Sequence, residues 1–380
     1  MSNSIAKQPI KRIPLPEEIV AHLSEAIKGH NHIKQMLACA TYAHLMKCHA
    51  KSRRMHSVQS LENCLISGPT ASGKSAMLQR LASYLKMPVV TVLTGSISPS
   101  GYKGKTCNDV LDQIEKVAVD NGVTRPTICL WDEYDKCAYG IPDANHDAPQ
   151  AQFEAGVYKR MTQSDMLGII QGIKLSDRPG LDLSKILHIA CGAFPQMSPP
   201  KAYRPIGFHA PAMAEESTQQ DRVSPDYYIK MGLMAELVGR FPRLGIMTKP
   251  DQATIREIIT ESVTSPFQQK LWFFKQHGTS LQFDAGAIEV LAQMVSEHPT
   301  GVRALQLVLT QLLGDYEYEI TRSDCKRIEE IRFNRNAVAG IEEPMIIRSS
   351  LDNIPIQRTI SIPNPKPSKD EENDDYLGIF

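Results

Sequence analysis

The sequence of 380 residues lacks several patterns that would assign it to a class at once. Its eight cysteines include no C-x-x-C pair, which excludes the usual zinc spacings and gives no disulfide framework. No apolar run approaches the roughly 18 residues of a transmembrane helix, and the first residues hold no apolar signal-peptide segment. These absences favour a protein of the reducing cytoplasm with no membrane partner.

The chain also lacks an excess of charge, internal repeats and protease motifs. Lysine plus arginine and aspartate plus glutamate both number 42, so the net charge gives no reason to expect nucleic acid as a partner. Neither G-x-S-x-G nor H-E-x-x-H occurs, which argues against a protease activity of its own.

What the sequence does contain is an alternation of short apolar runs with amphipathic stretches. Strands are predicted at 62–68, 88–94, 127–131 and 186–190, and helices at 15–46, from Lys74, at 108–120 and before the last strand. This alternation predicts an α/β fold whose parallel sheet is covered by helices on both faces.

The second half of the chain has a different character. The proline-rich stretch 195–226 predicts a long exposed loop, and from 251 helices dominate (252–262, 265–276, 286–297 and 301–320), with one strand at 280–284. We therefore expect a flexible arm (1–12), a large α/β domain (13–248), a smaller, mainly helical domain (249–346) and a disordered acidic tail (347–380).

A phosphate-binding motif lies between the first strand and the helix that follows it. "GPTASGKS" at 68–75 matches G-x-x-x-x-G-K-[ST], in which backbone N–H groups surround a phosphate, Lys74 reaches the terminal phosphates and Ser75 ligates magnesium. ATP and Mg²⁺ are the expected cofactors. The nucleotide-binding residues expected here are Gly68, Pro69, Thr70, Ala71, Ser72, Gly73, Lys74, Ser75 and Ala76.

Two carboxylates follow a second buried strand, in "TICLWDEYDK". The carboxyl edge of an open α/β sheet is where such folds bind ligands. Asp132 is therefore expected to hold Mg²⁺ through water, and Glu133 to orient and deprotonate the attacking water. A binding protein that does not hydrolyse ATP has no need of Glu133, so the sequence predicts an ATPase.

Two arginines and one aromatic loop are further candidates. Arg240 could stabilise charge on a γ-phosphate, although an ordinary surface arginine is the alternative. Arg303 lies in the first turn of a predicted helix, where a cation opposes the dipole and an anionic partner would favour it. In "SGYKGK" at 100–105, Tyr102 stands between glycines, either as a surface turn or as a side chain held out to contact something.

Together these motifs resemble the AAA+ unfoldases of the ClpX family, with HslU the next relative, over about residues 15–318. The P-loop, "GYKG", "WDEYDK", "LSKILHIACGAF", "GLMAELVGRFP" and "TGVRAL" occur in the family's order. The resemblance implies a homohexamer with ATP between subunits, an unfolded or tagged polypeptide as substrate, and hydrolysis that drives threading through a central pore. It implies that Ile27 lies on the adenine side, that Arg303 acts on its own subunit's nucleotide and Arg240 on a neighbour's, and that Tyr102 and Lys103 grip substrate.

The chain departs from the family in several places. Lys103 stands where the family usually has valine, and the family's N-terminal zinc module is absent. No clear match to the family's second pore loop is found in 170–184. The role of Cys191 as the sensor-1 residue stays open. Ile206, Gly207 and Phe208 match a family loop that docks on the ClpP peptidase. If this loop has the same role here, a ClpP-like peptidase is a partner. A remodelling ATPase without a peptidase, a nucleic-acid motor and a non-hydrolysing scaffold are the alternatives.

Overall fold

A computed structural model describes residues 12–49, 61–99, 101–139, 149–172, 177–194, 223–322 and 328–349, with only the backbone for 149–155. Five parallel strands form the central sheet: β1 Cys64–Ser67, β2 Val89–Leu93, β5 Thr127–Asp132, β6 Ile186–Gly192 and β7 Arg243–Ile246. A two-stranded ribbon (β3 Val119–Asp120, β4 Val123–Thr124) precedes β5. The strands of the central sheet lie in the order β2-β5-β6-β1-β7.

The sheet is buried on both faces because successive apolar side chains of its strands point to opposite faces. In β5, Ile128 and Leu130 join one hydrophobic cluster, whereas Cys129 and Trp131 join the cluster on the other face. The prediction of a helix-covered parallel sheet is thus confirmed. The helices of this part are α1 Pro16–Ala26, α2 Asn31–His49, α3 Lys74–Leu85, α4 Cys107–Ala118, α5 Pro149–Ile170, α6 Pro225–Lys230 and α7 Ala235–Val238.

A third hydrophobic cluster is built by residues after 251. It includes Ile255, Phe274, Leu291, Leu309 and Phe333. These side chains lie between helices and a three-stranded sheet in which β8 pairs in parallel with β9, and β10 pairs antiparallel to β9. The elements are α8 Gln252–Glu261, α9 Pro266–Gln276, β8 Ser280–Phe283, α10 Ala285–Glu297, α11 Ala304–Thr321, β9 Ile328–Phe333, α12 Arg335–Val338 and β10 Met345–Arg348.

Several predicted boundaries are wrong. The single helix expected at 15–46 is two helices, because Ile27 is extended (φ −106°, ψ 115°) and Gly29 and His30 then adopt positive φ angles (68° and 52°). Strand β10 runs to Arg348, past the point where the tail was expected to begin. The helix expected from 301 begins at Ala304, after the 3-10 turn Gly301–Arg303.

The last residues of α1 and Lys28, just after it, contact the end of α8 and the residues that follow it. Ser262 Oγ donates to the Ala26 carbonyl over 2.6 Å, and Val263 N donates to the Glu25 carbonyl over 3.2 Å. Lys28 Nζ also lies 3.2 Å from Glu261 Oε2. None of the helices in the described ranges is both long and apolar enough to cross a membrane.

Candidate functional site

The loop after β1 is held in a conformation that requires glycine. Gly68 has a φ of 158°, and a Cβ there would lie 2.6 Å from the Met247 carbonyl oxygen. Gly68 N also donates to the Gly192 carbonyl over 3.1 Å, so the neighbouring strands fix the start of the loop. Gly73, at φ 94°, leads into α3. The loop therefore turns tightly into the N-terminus of α3, the strand–turn–helix arrangement that binds phosphate.

The Lys74 ammonium group lies against this loop. Its Nζ donates to the carbonyl oxygens of Gly68 (2.7 Å) and Pro69 (2.8 Å). Burial lowers the pKa of Lys74, Asp132 and Asp135 oppose that shift, and the charge of Arg303 adds to it. The loop carbonyls accept hydrogen bonds from this half-buried ammonium group but carry no negative charge. A polyphosphate would supply the anionic partner.

Ser75 and Asp132 provide the oxygen ligands that Mg²⁺ prefers. Asp132 ends β5 and its Oδ1 accepts from Glu133 N over 2.9 Å. Within the described ranges no group of three or more His, Cys, Asp or Glu residues could hold a metal ion. A magnesium ion at this place would thus take further ligands from nucleotide phosphates and water, and the residues present fit that mode of binding.

Glu133 occupies a strained position beside Asp132. Its φ is 52°, which is unusual for a residue other than glycine, and its side chain is exposed. Strain of this kind often accompanies a functional role. The carboxylate lies beside Gly95, whose added Cβ would be 3.6 Å from Glu133 Oε2. The side chain is therefore accessible to a water molecule at the carboxyl edge of the sheet.

Asp135 and Gly192 are parts of the site that the sequence reasoning missed. Asp135 is 7% exposed and its Oδ1 accepts from Ala193 N over 2.9 Å. A Cβ on Gly192 would lie 2.8 Å from Asp135 N, so glycine is needed there. This contact joins the ends of β5 and β6, and the "D-E-x-D" spacing was the available signal. Cys191, just before it, is buried, and burial raises the pKa of its thiol.

Arg303 and Ile27 approach the loop from other elements. A Cβ on Gly301 would lie 4.0 Å from Ala71 Cβ, which brings the Gly301–Arg303 turn against the P-loop. Ile27 follows α1, and α1 lies beside α3 through the Arg80–Glu25 ion pair (2.8 Å). Both residues therefore belong to elements that surround the P-loop.

Arg240, in contrast, lies at the opposite end of the sheet. Its carbonyl oxygen accepts from Asn63 Nδ2 over 3.0 Å, and Asn63 immediately precedes β1. At about 3.3 Å per residue, the strand separates Asn63 from Gly68 by roughly 16 Å, which exceeds the length of an arginine side chain. The structure does not bring Arg240 to the P-loop of its own chain.

The Tyr102 loop forms a separate exposed feature. Ser98 and Lys105 close its base, with Ser98 N donating to the Lys105 carbonyl over 2.7 Å. Gly104 must be glycine, because a Cβ would lie 2.0 Å from Ser98 Oγ. Tyr102 is 56% exposed, and its ring meets Tyr158 edge-on at 5.3 Å. Lys103 is exposed beside it. The residues Ile206, Gly207 and Phe208 lie outside the described part of the chain.

The fold and the site together define an AAA+ domain of the P-loop ATPase class. A parallel sheet carries the phosphate loop at the end of β1 and the Asp132–Glu133 pair at the end of β5, with β6 between them.

Comparison with known proteins makes this class more specific, although no family model matches the chain. The "ATP-dependent Clp protease ATP-binding subunit ClpX" of Treponema denticola is 28% identical over 339 residues, which cover 82% of this chain and 79% of that protein. "ClpX 3" of Methylococcus capsulatus is 27% identical over 347 residues (83% and 79%). ClpX of Borrelia duttonii is 26% identical over 356 residues (88% and 81%). The chain is thus similar to ClpX proteins over 82–88% of its length, which supports a ClpX-like AAA+ ATPase of the Clp/Hsp100 kind and confirms the resemblance predicted from its motifs.

Proposed function

We propose that this protein is a homohexameric, ATP-dependent unfoldase that threads polypeptides through a central pore. The observation that carries the proposal is the division of its charged groups. Lys74, Asp132 and Arg303 lie around the P-loop, while Arg240 lies at the far end of the sheet. A single chain therefore has most of a hydrolytic site and lacks its last cation, as expected of a ring whose sites lie between subunits.

Within one chain, the proposed roles follow from the positions of the side chains. The P-loop N–H groups and Lys74 bind and orient the phosphates, while Ser75 and Asp132 hold the magnesium ion. Glu133, exposed and beside Asp132, orients a water and accepts its proton. When bound, Mg·ATP supplies the phosphoryl group and the charge neutralisation that its transfer needs. Arg303 contacts the same nucleotide from the small-domain side, and Ile27 contacts its base.

Arg240 is proposed to act on the nucleotide of a neighbouring subunit. Its guanidinium makes no hydrogen bond or ion pair with any other described residue, which leaves it available to an anion outside the chain. An arginine supplied from another subunit stabilises charge that develops on the γ-phosphate, by about 10³–10⁵-fold in rate for such residues generally.

Tyr102 and Lys103 are proposed to grip substrate. A largely exposed aromatic ring on a loop that is closed at its base offers contact area at little entropic cost. An aromatic face contacts peptide chains without regard to sequence, which suits an enzyme that must pull many chains. Unfolded or tagged polypeptides are the proposed substrates, and the cytoplasm is the proposed location.

A peptidase partner is a further part of the proposal. The relatives above are named as subunits of the Clp protease, and Ile206, Gly207 and Phe208 would supply two apolar side chains per subunit to a docking loop. Repetition around a ring would strengthen such docking by avidity. Loss of ClpP-dependent proteolysis in Phe208→Ala, with unfolding retained, would support this role. Unchanged proteolysis in this variant would show that Phe208 is not the docking residue, whereas a wild-type protein that supports no ClpP-dependent proteolysis would favour a remodelling ATPase.

The direct test is ATP-dependent unfolding of a tagged fluorescent protein by the purified protein, with Tyr102→Ala beside the wild type. We expect Tyr102→Ala to lose unfolding while it keeps ATPase activity. If neither protein unfolds substrate and both hydrolyse ATP, the unfoldase proposal fails and the remodelling alternative gains support. Salt-dependent DNA binding would favour the nucleic-acid motor.

A further inference from the structure

At the amino edge of the sheet, both the oxygen and the nitrogen of the Asn63 side-chain amide make hydrogen bonds. Asn63 is 2% exposed. Its Nδ2 donates to the carbonyl oxygen of Arg240 over 3.0 Å, and its Oδ1 accepts from His188 N over 3.1 Å. One buried side chain thus joins the residue before β1 to β6 and to the segment that carries Arg240.

The orientation of this amide is fixed by its partners. A backbone N–H can only donate and a carbonyl oxygen can only accept, so His188 N requires Oδ1 and the Arg240 carbonyl requires Nδ2. His188 is itself held by β6 and by Trp131, whose Nε1 donates to His188 Nδ1 over 3.1 Å. A hydrogen-bond chain therefore runs from Trp131, next to Asp132, through His188 and Asn63 to Arg240.

A second anchor holds the other end of the Arg240 segment. Arg243 donates to Glu62 through Nε (3.0 Å) and Nη2 (2.5 Å), and Lys47 Nζ contacts the other carboxylate oxygen. Burial raises the pKa of Glu62, but the hydrogen bonds from Lys47 and Arg243 outweigh it and lower that pKa overall. Glu62 and Asn63 thus fix the backbone on both sides of Phe241, while the guanidinium of Arg240 has no partner within the described ranges.

We propose that Asn63 is a positioning residue for Arg240, setting the height and direction from which that arginine reaches a neighbour's nucleotide. This inference rests on the proposed function of Arg240. A displacement of about 1 Å in a catalytic group can cost on the order of 10²-fold in rate. Because Asn63 bonds the peptide group of Arg240 itself, it would prevent such a displacement.

The test is a double-mutant cycle on the full-length protein, with steady-state ATPase as the measurement. We expect Asn63→Ala to lower kcat by about 10²-fold with the KM for ATP nearly unchanged, because the P-loop is at the other end of β1. In the Arg240→Ala background the same change should lower kcat no further, since there is no arginine left to position. Thr127→Ala is the matched control: Thr127 is also fully buried in this sheet, and its Oγ1 bonds the Arg125 carbonyl (2.9 Å) and not the Arg240 segment.

The outcomes distinguish a failure of the positioning role of Asn63 from a failure of the proposed role of Arg240. Additive losses in the double variant, or an equal loss in Thr127→Ala, would mean that Asn63 is only structural and would overturn the inference. A normal kcat in Arg240→Ala would remove the proposed role of Arg240 and the inference with it. If Asn63→Ala does not fold, Asn63→Ser keeps a polar group but is too short to bridge, and the same kcat loss without a KM change is expected.

Discussion

The two ends of strand β1 differ in how completely their charges are paired within the chain. At the carboxyl end, Lys74 lies within hydrogen-bond distance of two loop carbonyls, and Asp132 and Arg303 act on its pKa. At the amino end, the backbone of Arg240 is fixed by Asn63, while its guanidinium has no partner among the described residues.

In the proposed ring, the difference indicates which ends of neighbouring chains would meet. A solvated guanidinium needs no partner within its own chain, and it remains available to an anion supplied by another. The carboxyl end offers the complementary arrangement: a phosphate cradle, a strained Glu133 and exposed loop residues Pro69 and Thr70. In the proposed ring, subunits that associate head to tail would bring the amino end of one sheet to the carboxyl end of the next.

The largest effect should come from removing the free cation. We expect Arg240→Ala to lower kcat for ATP by about 10³-fold or more while the KM changes little, because the cradle is distant. Steady-state ATPase assays measure both quantities. Arg256→Ala, which removes an exposed arginine from α8, is the control and should leave both unchanged. A kcat near that of the wild type would contradict a catalytic role for Arg240.

The next effect should come from the carboxyl end itself. Glu133→Gln keeps the size of the side chain but cannot accept the proton of water, so kcat should fall by about 10²–10⁴-fold. ATP binding, measured with a fluorescent analogue, should persist because the P-loop and Lys74 are intact. Loss of binding in this variant would show that Glu133 maintains the cradle and does not act in hydrolysis.

A smaller effect concerns the buried histidines between the two ends. Burial lowers the pKa of His44 to about 4 and that of His188 to about 3, from an ordinary value of 6.5. Both are therefore neutral when folded and bind protons on unfolding, so the free energy of unfolding should fall as pH drops below about 6.5. The loss for His44 should approach about 3 kcal/mol near its folded pKa.

Urea unfolding between pH 7 and about 5 checks this prediction. His44→Asn should flatten the pH dependence, because it removes one of the two titrating groups. A free energy of unfolding that stays constant over this interval would contradict the depressed pKa values. The carboxylate Glu62 contributes only at lower pH, since its pKa lies below 4.5.

The smallest expected effect is at the exposed loop. The edge-on contact of Tyr158 with Tyr102 is worth about 0.5–1.5 kcal/mol for such pairs, so Tyr158→Ala should slow unfolding of a tagged substrate by up to roughly 10-fold. ATPase activity should be unchanged. Tyr158→Phe keeps the ring and should behave as wild type, and an equal defect in both variants would exclude the ring contact as the cause.

Local patterns predicted the strand–turn–helix unit that carries the phosphate-loop motif, whereas contacts between residues distant in sequence could not be predicted. The spacing of Gly68, Lys74 and Ser75 is set within one strand–turn–helix unit, so the sequence contains the whole arrangement. The role of Asp135 depends on Ala193 N, and that of Asn63 on His188 and Arg240, contacts that no local pattern encodes. The distance of Arg240 from its own P-loop also emerges only from the register of β1 and β7.

Missed strands have a similar explanation. Strand β7 has four residues and β10 another four, and neither shows clean alternation of buried and exposed side chains. Their pairing partners, not their own sequences, make them strands. The break between α1 and α2 was missed because His30, a residue with a side chain, adopts the left-handed conformation there.

The ATPase activity of mixed rings shows directly whether Arg240 acts on a neighbouring subunit. Glu133→Gln subunits keep Arg240 and cannot hydrolyse, whereas Arg240→Ala subunits keep a hydrolytic site and lack the cation. If Arg240 acts on a neighbour, an equal mixture of these two inactive proteins should recover up to about a quarter of the wild-type rate, since half of the competent sites gain an intact neighbour. A mixture no more active than its components would contradict a site shared between subunits.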